Sequence, residues 1–390
     1  MTGLDIALLV VTALVAISGY IEGFVLGACA TLGLLAGAAI GVYGVPRVLD
    51  NFSPSVEVSF AALVLVVLLA SIGRTIGALL GSKLRNQISW RPVKAVDALG
   101  GAVLAAVSVL VVSWVLGVAV SGARIPSVTS AVRNSEVLAK VDGVMPGGAD
   151  QALQAFNDVV NTDLFPRFLD PFVPERIRET QPPDSGVARQ PAVRDAYSRI
   201  AKVTGVANCS RGLEGSGFVY APQRVMTNAH VVAGVRSPKV ELDGHSYDAT
   251  VVLFDSSVDI AVLYVPKLTA KPLVFDEGGQ ADAPAVVLGY PENGPFDSEP
   301  ARIRSEERLR GPDIYGDRTV TRRAFSIWAS VRPGNSGGPL LSPKGTVYGV
   351  VFAASVEDNR TGYVLTAEQV SEDAAVGARA TQAVSTRSCT

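Results

Sequence analysis

Four apolar blocks fill the first 122 residues, at roughly 4–21, 23–44, 58–80 and 98–120. Each is close to the ~20 residues a helix needs to cross a bilayer. The amino-terminal third is therefore expected to fold as membrane helices rather than as a water-soluble core. The first block is the most marginal, because Asp5 and Glu22 bracket it closely. Gly and Ala recur in the second and fourth blocks (Gly27, Gly33, Gly37, Gly41; Gly100, Gly101, Ala105, Ala106). Small residues let membrane helices approach closely, so a compact four-helix bundle over 1–122 is expected. Neither Lys nor Arg precedes the first block, which argues against a cleaved signal peptide.

Charge in the loops predicts the orientation. Lys83, Arg85, Arg91 and Lys94 lie between the third and fourth blocks, opposed only by Asp97, whereas the preceding loop has Arg47 beside Asp50 and Glu57. The positive-inside rule places the basic loop in the cytoplasm. Four crossings then put both termini, and everything after residue 122, on the extracytoplasmic side. Glu22 and Arg74 fall near cytoplasmic helix ends in this topology. There they can snorkel to the interface or pair with each other.

Residues 123–194 change character. They are polar and carry Pro126, Pro146, Pro166, Pro171, Pro174, Pro182, Pro183 and Pro191. Short patterns at spacings of three and four, such as Val137, Leu138 and Val141, or Leu153, Phe156, Val159 and Val160, predict brief helices. This stretch reads as an extracytoplasmic linker. It is either a spacer or a pro-segment open to autoprocessing, since exposed linkers are easily nicked. From about 195 to 390 the pattern becomes short strands separated by turns: Gly217–Tyr220, Arg224–Thr227, Lys239–Leu242, Tyr247–Phe254, Ile260–Tyr264, Ala285–Gly289, Tyr348–Phe352 and Tyr363–Thr366. Such a series predicts an all-β barrel domain.

Within that domain stand Thr227-Asn228-Ala229-His230-Val231-Val232, Ser257-Val258-Asp259-Ile260-Ala261-Val262 and Arg332-Pro333-Gly334-Asn335-Ser336-Gly337-Gly338-Pro339. A hydroxyl is a weak nucleophile near neutrality, so a base must take its proton and a third group must orient that base. His230, Asp259 and Ser336 offer one candidate for each role, in the order used by chymotrypsin-type proteases. His230 is one of two histidines; the other, His245, follows Asp243-Gly244 in an expected hairpin turn. Asp259 opens an apolar strand, where a carboxylate can fix the imidazole tautomer, and Asp255 is its rival. Gly334 and Gly337 permit a tight turn around Ser336, whose N–H together with that of Gly334 can form an oxyanion hole.

These strings resemble the trypsin-like superfamily, and within it the bacterial HtrA/DegP-like branch, over about residues 200–370. The resemblance implies two six-stranded barrels with the triad in the cleft between them. The chain ends soon after the second barrel, so the PDZ domain of HtrA proteases, with its activation and caging, is not expected. The amino-terminal region is similar to the colicin V production protein family. Together the halves resemble mycobacterial membrane-anchored periplasmic serine proteases associated with acid resistance. By the same resemblance Ser330, six residues before Ser336, lines the bottom of the primary pocket, and Phe352, Ala353 and Ala354 form its opposite wall. An uncharged, fairly small pocket of this kind suits apolar or small P1 side chains.

Three cysteines fit an extracytoplasmic domain. Cys29 lies in an apolar block as a small hydrophobe, whereas Cys209 and Cys389 open and close the protease region and can bridge its ends. Net charge is near zero (-2) and basic residues cluster only in the cytoplasmic loop, which excludes nucleic acid as a partner. No metal or cofactor is implied. The expected protein is thus a multidomain, plasma-membrane serine endopeptidase. It would cleave cell-envelope proteins through an acyl-enzyme, in contact with lipid at one end and protein substrates at the other. The competing reading is a transporter-like or scaffold membrane protein whose protease-fold domain only binds peptides.

Overall fold

The computed structural model describes residues 1–49, 56–121, 126–145, 172–209 and 211–389. The helical pattern at Leu153–Val160 lies outside them, as does most of the stretch expected to be open to autoprocessing. The chain divides into two compact units, Met1–Gly117 with Ser135–Val144, and Val118–Asn134 with Met145–Thr390.

The first unit holds α1 (Gly3–Glu22), α2 (Phe24–Leu49), α3 (Val56–Arg85) and α4 (Arg91–Ser121), each long and apolar enough to cross a membrane. Side chains such as Leu14, Leu35, Leu68 and Val103 lie exposed along these helices, a surface that water disfavours and lipid accepts. Thr2 starts α1 with a capping box, its hydroxyl accepting from Asp5 N–H while Asp5 accepts from Thr2 N–H. α2 and α3 touch along a glycine seam: a methyl at Gly33 would lie 2.2 Å from Gly73 O, and one at Gly77 would lie 2.1 Å from Cys29 O. The small residues read from the sequence therefore serve backbone-to-backbone approach. At the α1–α2 elbow Asp97 accepts from Val25 N–H (2.8 Å) and pairs with Arg85 Nε (2.8 Å), and Arg85 also donates to Ile21 O. Glu22 instead accepts from Ser18 Oγ at 3.3 Å. A short α6 (Glu136–Asp142) belongs to the same unit and is tied to α1 by the hydrogen bond of Ser135 Oγ to Asp5 Oδ1, 2.6 Å long.

The second unit begins with α5 (Pro126–Arg133) and, from residue 172, a strap leading to α7 (Pro191–Asp195). Seven strands follow: β1 (Ile200–Val206), β2 (Gly212–Ala221), β3 (Arg224–Thr227), β4 (Lys239–Leu242), β5 (His245–Asp248), β6 (Thr250–Asp255) and β7 (Ile260–Tyr264). They form one antiparallel sheet in the order β5-β4-β1-β2-β3-β7-β6. Six more, β8 (Pro284–Gly289), β9 (Asp297–Pro312), β10 (Thr319–Trp328), β11 (Pro339–Leu341), β12 (Val347–Ala354) and β13 (Thr361–Thr366), close a barrel in the order β10-β13-β12-β11-β8-β9. The chymotrypsin-like arrangement is present, with seven strands in the first sheet where the resemblance implies six. Tyr247–Phe254, expected as one strand, breaks at Ala249, whose N–H turns to Pro238 O. The β4–β5 hairpin turns at Asp243 and Gly244, both with positive φ (48° and 75°), as a two-residue type I′ loop requires.

A buried apolar core joins the sheets: Ile200, Phe218 and Met226 from the first meet Val286, Leu288 and Leu341 from the second. Each such side chain contributes on the order of 1.5–3 kcal/mol when fully buried. The sheets are further clasped by α8 (Ala367–Arg379), started by Thr366. Arg224 of β3 donates to Gly377 O (3.1 Å) and Ala380 O (2.6 Å), satisfying carbonyls at the end of this helix. The chain then returns to the first sheet, where Gly234 N–H bonds Thr386 O and a disulfide joins Cys209 to Cys389.

Candidate active site

The first sheet supplies a histidine and a carboxylate. His230 follows β3, and Asp259 sits in the turn before β7, the strand that pairs with β3. Asp259 is fully buried and accepts twice from the same residue, from His230 N–H at 3.0 Å and from His230 Nδ1 at 2.8 Å. An ionised carboxylate only accepts, so the proton is on Nδ1 and Nε2 of the neutral ring is left with its lone pair. Asp259 takes a left-handed φ of 72°, which aspartate tolerates better than most residues. Asn228 Nδ2 pins it there by donating to Asp259 O at 2.8 Å. Asp255, the rival carboxylate, does different work. Its Oδ1 accepts from Ser257 N–H (2.6 Å) and Val258 N–H (3.0 Å), and its carbonyl accepts from Asp259 N–H (3.0 Å). It shapes the turn that presents Asp259. His245 is exposed on β5.

Ser336 belongs to the second sheet, in the loop before β11, and is buried. Its turn is built by Pro333 and Gly334: Asn335 N–H bonds Arg332 O at 3.0 Å, and Gly334 takes φ of 89°. Proline second and a positive-φ glycine third make a type II turn. The Pro333 carbonyl is drawn aside by Glu292 N–H at 2.7 Å. Among the described residues the N–H groups of Gly334 and Ser336 have no hydrogen-bond partner. Two free donors flanking a buried hydroxyl suit an incoming oxyanion.

Ser216 on β2 fastens this turn to the first sheet. It donates from Oγ to Gly334 O (2.6 Å) and from N–H to Ser336 O (2.8 Å), and its carbonyl accepts from Thr227 Oγ1 (2.7 Å). Gly337, with φ of 84°, sits so tightly that an added methyl would lie 2.2 Å from Ser216 O and 2.4 Å from Thr227 Oγ1. The Ser336 loop is thereby seated on β2 and against Thr227 at the end of β3, the strand that leads to His230. Sequence motifs flagged Thr227 and Gly337 but gave no reason to single out Ser216.

The pocket residues divide. Ser330 is exposed, its N–H 3.4 Å from Glu299 Oε1. Phe352 and Ala353 are buried in the core between the sheets, and Ala354 pairs with Gly362 across β12 and β13. Beside the Ser336 loop runs Val351, whose carbonyl accepts from Gly337 N–H and whose N–H donates to Gly338 O, and its side chain packs with Val331 and Val364 in the core of the second barrel. A methyl on Gly362 would come within 2.3 Å of Val331 Cγ2.

Comparison with known proteins agrees with this arrangement. Residues 215–350 match the trypsin-like peptidase domain family, and residues 4–146 match the colicin V production protein family. The serine protease Rv3671c of Mycobacterium tuberculosis (strain H37Rv) is 40% identical over 391 residues, spanning 99% of this chain and 98% of the relative. The putative serine protease HhoB of Synechocystis is 34% identical over 169 residues, 41% of this chain and 39% of the relative. The crystal structure of the Rv3671c protease in its active form is 46% identical, with a TM-score of 0.54 over 57% of this chain and 98% of that one.

Proposed function

The chain belongs to the family of serine proteases that includes Rv3671c, and from that premise we propose that it is a membrane-anchored endopeptidase whose triad is Ser336, His230 and Asp259. Nε2 of His230 takes the Ser336 proton as Oγ attacks the scissile carbonyl. Asp259, already holding Nδ1–H at 2.8 Å, stabilises the imidazolium that forms. The oxyanion is received by the N–H groups of Gly334 and Ser336, the acyl-enzyme forms as the amine leaves, and water completes the cycle. The carrying observation is the pair of hydrogen bonds from half-buried His230 to fully buried Asp259, together with a Ser336 turn that leaves two backbone donors free.

The four apolar helices act as the anchor, and the basic loop of Lys83, Arg85, Arg91 and Lys94 lies in the cytoplasm, leaving the protease outside. Substrates are then cell-envelope proteins, and the setting is envelope and acid stress, in keeping with the sequence resemblance. The primary pocket takes small apolar P1 side chains, in keeping with the sequence resemblance that lines it with the uncharged Ser330, Phe352, Ala353 and Ala354.

The test is a fluorophosphonate probe applied to the full chain in detergent. Labelling of the wild type and not of Ser336→Ala supports the reading; equal labelling of both, or of neither, refutes it. Reporter fusions at residue 88 and at the carboxyl end check orientation, with the first expected inside and the second outside. The stress assignment fails if a strain carrying Ser336→Ala survives acid as well as the wild type while a deletion strain does not.

A further inference from the structure

The strap before the first strand is bonded to the second barrel where β12 passes into β13. Between β12 and β13, residues Ser355–Arg360 form a loop that Ser355 and Asp358 organise. Ser355 Oγ accepts from the N–H groups of Glu357 and Asp358, and Asp358 accepts from Thr361 Oγ1 at 2.9 Å. This loop leaves β12, whose Val351 bonds Gly337 and Gly338 next to Ser336 and whose last residue, Ala354, the sequence resemblance places on the pocket wall. It continues into Gly362, whose α-carbon faces Val331. Successive residues of a strand face opposite sides, so Tyr363 points the other way. Its side chain is almost fully buried and its hydroxyl donates to Glu175 Oε2 at 2.6 Å. The other oxygen of Glu175 accepts from Val356 N–H at 3.2 Å.

Glu175 is itself held in place. Arg133, at the end of α5, donates to Val173 O at 2.7 Å, and its Nε lies 2.9 Å from Glu357 Oε1, an ion pair without the alignment of a hydrogen bond. On the other side Arg178 and Arg304 exchange guanidinium-to-carbonyl bonds (2.9 and 2.7 Å), and Arg304 reaches Asp358 at 3.5 Å. Burial and the nearby Glu175 carboxylate push the Glu357 carboxyl up, against the pull of Arg133. Two carboxylates are thus brought together over the loop with one buried guanidinium between them. An attachment that needed only bulk would place apolar side chains there, since buried ionic groups are weak sources of stability.

We propose that Glu175 is a positioning residue for the primary specificity pocket. Although it lies upstream of the protease strands, its carboxylate grips Tyr363 and Val356 at the two ends of the loop that walls the pocket. The P1 preference is then set partly by chain outside the two sheets. The inference rests on the peptidase reading above. It predicts that loosening the grip changes which P1 side chains are accepted, not merely how much folded enzyme there is.

The test uses the full chain in detergent and four peptide p-nitroanilides that differ only at P1: Ala, Val, Leu and Phe. Glu175→Ala and Tyr363→Phe should each shift the kcat/KM ratio between the smallest and largest P1 substrates by about tenfold, the scale of methylene discrimination in apolar pockets. The change should be mainly in KM, and the double variant should shift no further than either single one. Glu175→Gln keeps an acceptor for Val356 and a partner for Tyr363, so it should restore the wild-type ratio to within about threefold. If Glu175→Ala does not fold, Tyr363→Phe and Glu175→Gln decide. A uniform loss of kcat on all four substrates, or ratios unchanged in both Glu175→Ala and Tyr363→Phe, overturns this inference alone. A wild type that turns over no peptide overturns the peptidase reading, and this inference with it.

Discussion

Asp373 gives the protease unit a pH dependence that can be worked out from its surroundings. It lies on α8, which packs against β6, and its carboxyl is pushed up to about 7 by burial first, then by the carboxylates of Asp255 and Glu372. In the unfolded chain an aspartate titrates near ~3.9. As pH rises from ~4 to ~7 the unfolded state therefore loses this proton while the folded state keeps it. Stability from this site is fully present below ~4 and is lost as pH rises through about 7. A displacement of that size corresponds to about 4 kcal/mol between the two protonation states. The side chain is only half-buried, so screening reduces the contribution to about 1–2 kcal/mol. Asp373→Asn removes the charge and should raise Tm above wild type by about 3–6 °C near pH 8, with the difference vanishing near pH 4. Differential scanning fluorimetry of both proteins across that range, in one buffer series at constant ionic strength, reads the difference directly. A Tm difference that does not change with pH, or that grows toward acid, would show that the Asp373 environment has been misjudged.

Three further outcomes follow from the site. Asp259→Asn presents an amide to His230, so either the backbone or the ring N–H loses its acceptor; kcat should fall about 10⁴-fold, read by peptide turnover, with fluorophosphonate labelling slowed alongside. Gly337→Ala drives a methyl into Ser216 O at 2.2 Å and should abolish labelling of Ser336; normal labelling would mean that the nucleophile loop can lift off β2 at little cost. Cys209→Ser opens a bridge spanning 180 residues, worth about 5 kcal/mol in the chain-entropy account, so Tm and activity should drop, and reductant should lower wild type to the variant's level without affecting the variant.

The four long apolar helices and the turn around Ser336 were legible because each depends on local chemistry. Continuous apolar runs announce α1 to α4, and the Pro333-Gly334 and Gly337 positions declare their turn in the residues themselves. β9 and β10 were not, although together they form the longest pairing in the barrel. Asp297–Pro312 is crowded with Arg and Glu, and half of each barrel strand faces outward, so its inward residues Ala301 and Ile303 were too sparse to show alternation. The extra strand β5 was hidden because one apolar run, Tyr247–Phe254, crosses a break made by a hydrogen bond to distant Pro238. Ser216 and Glu175 carry no local mark. What matters about each is a partner more than a hundred residues away: Gly334 for the first, Tyr363 for the second.

The division of the proposed triad between two sheets bears on how safely such an enzyme can be made. His230 and Asp259 pair within the first sheet through bonds that need nothing from beyond residue 264, while Ser336 gains its seat only when Ser216 and Thr227 receive the turn from the second. A nascent chain would carry His230 and Asp259 for some seventy residues of synthesis, counted from Tyr264 to Ser336, before the serine exists. Even then the hydroxyl stays idle until the sheets dock. Proteolytic capacity would then switch on only at assembly of the two sheets, late in biogenesis, and neighbouring proteins would be spared a half-built cutter.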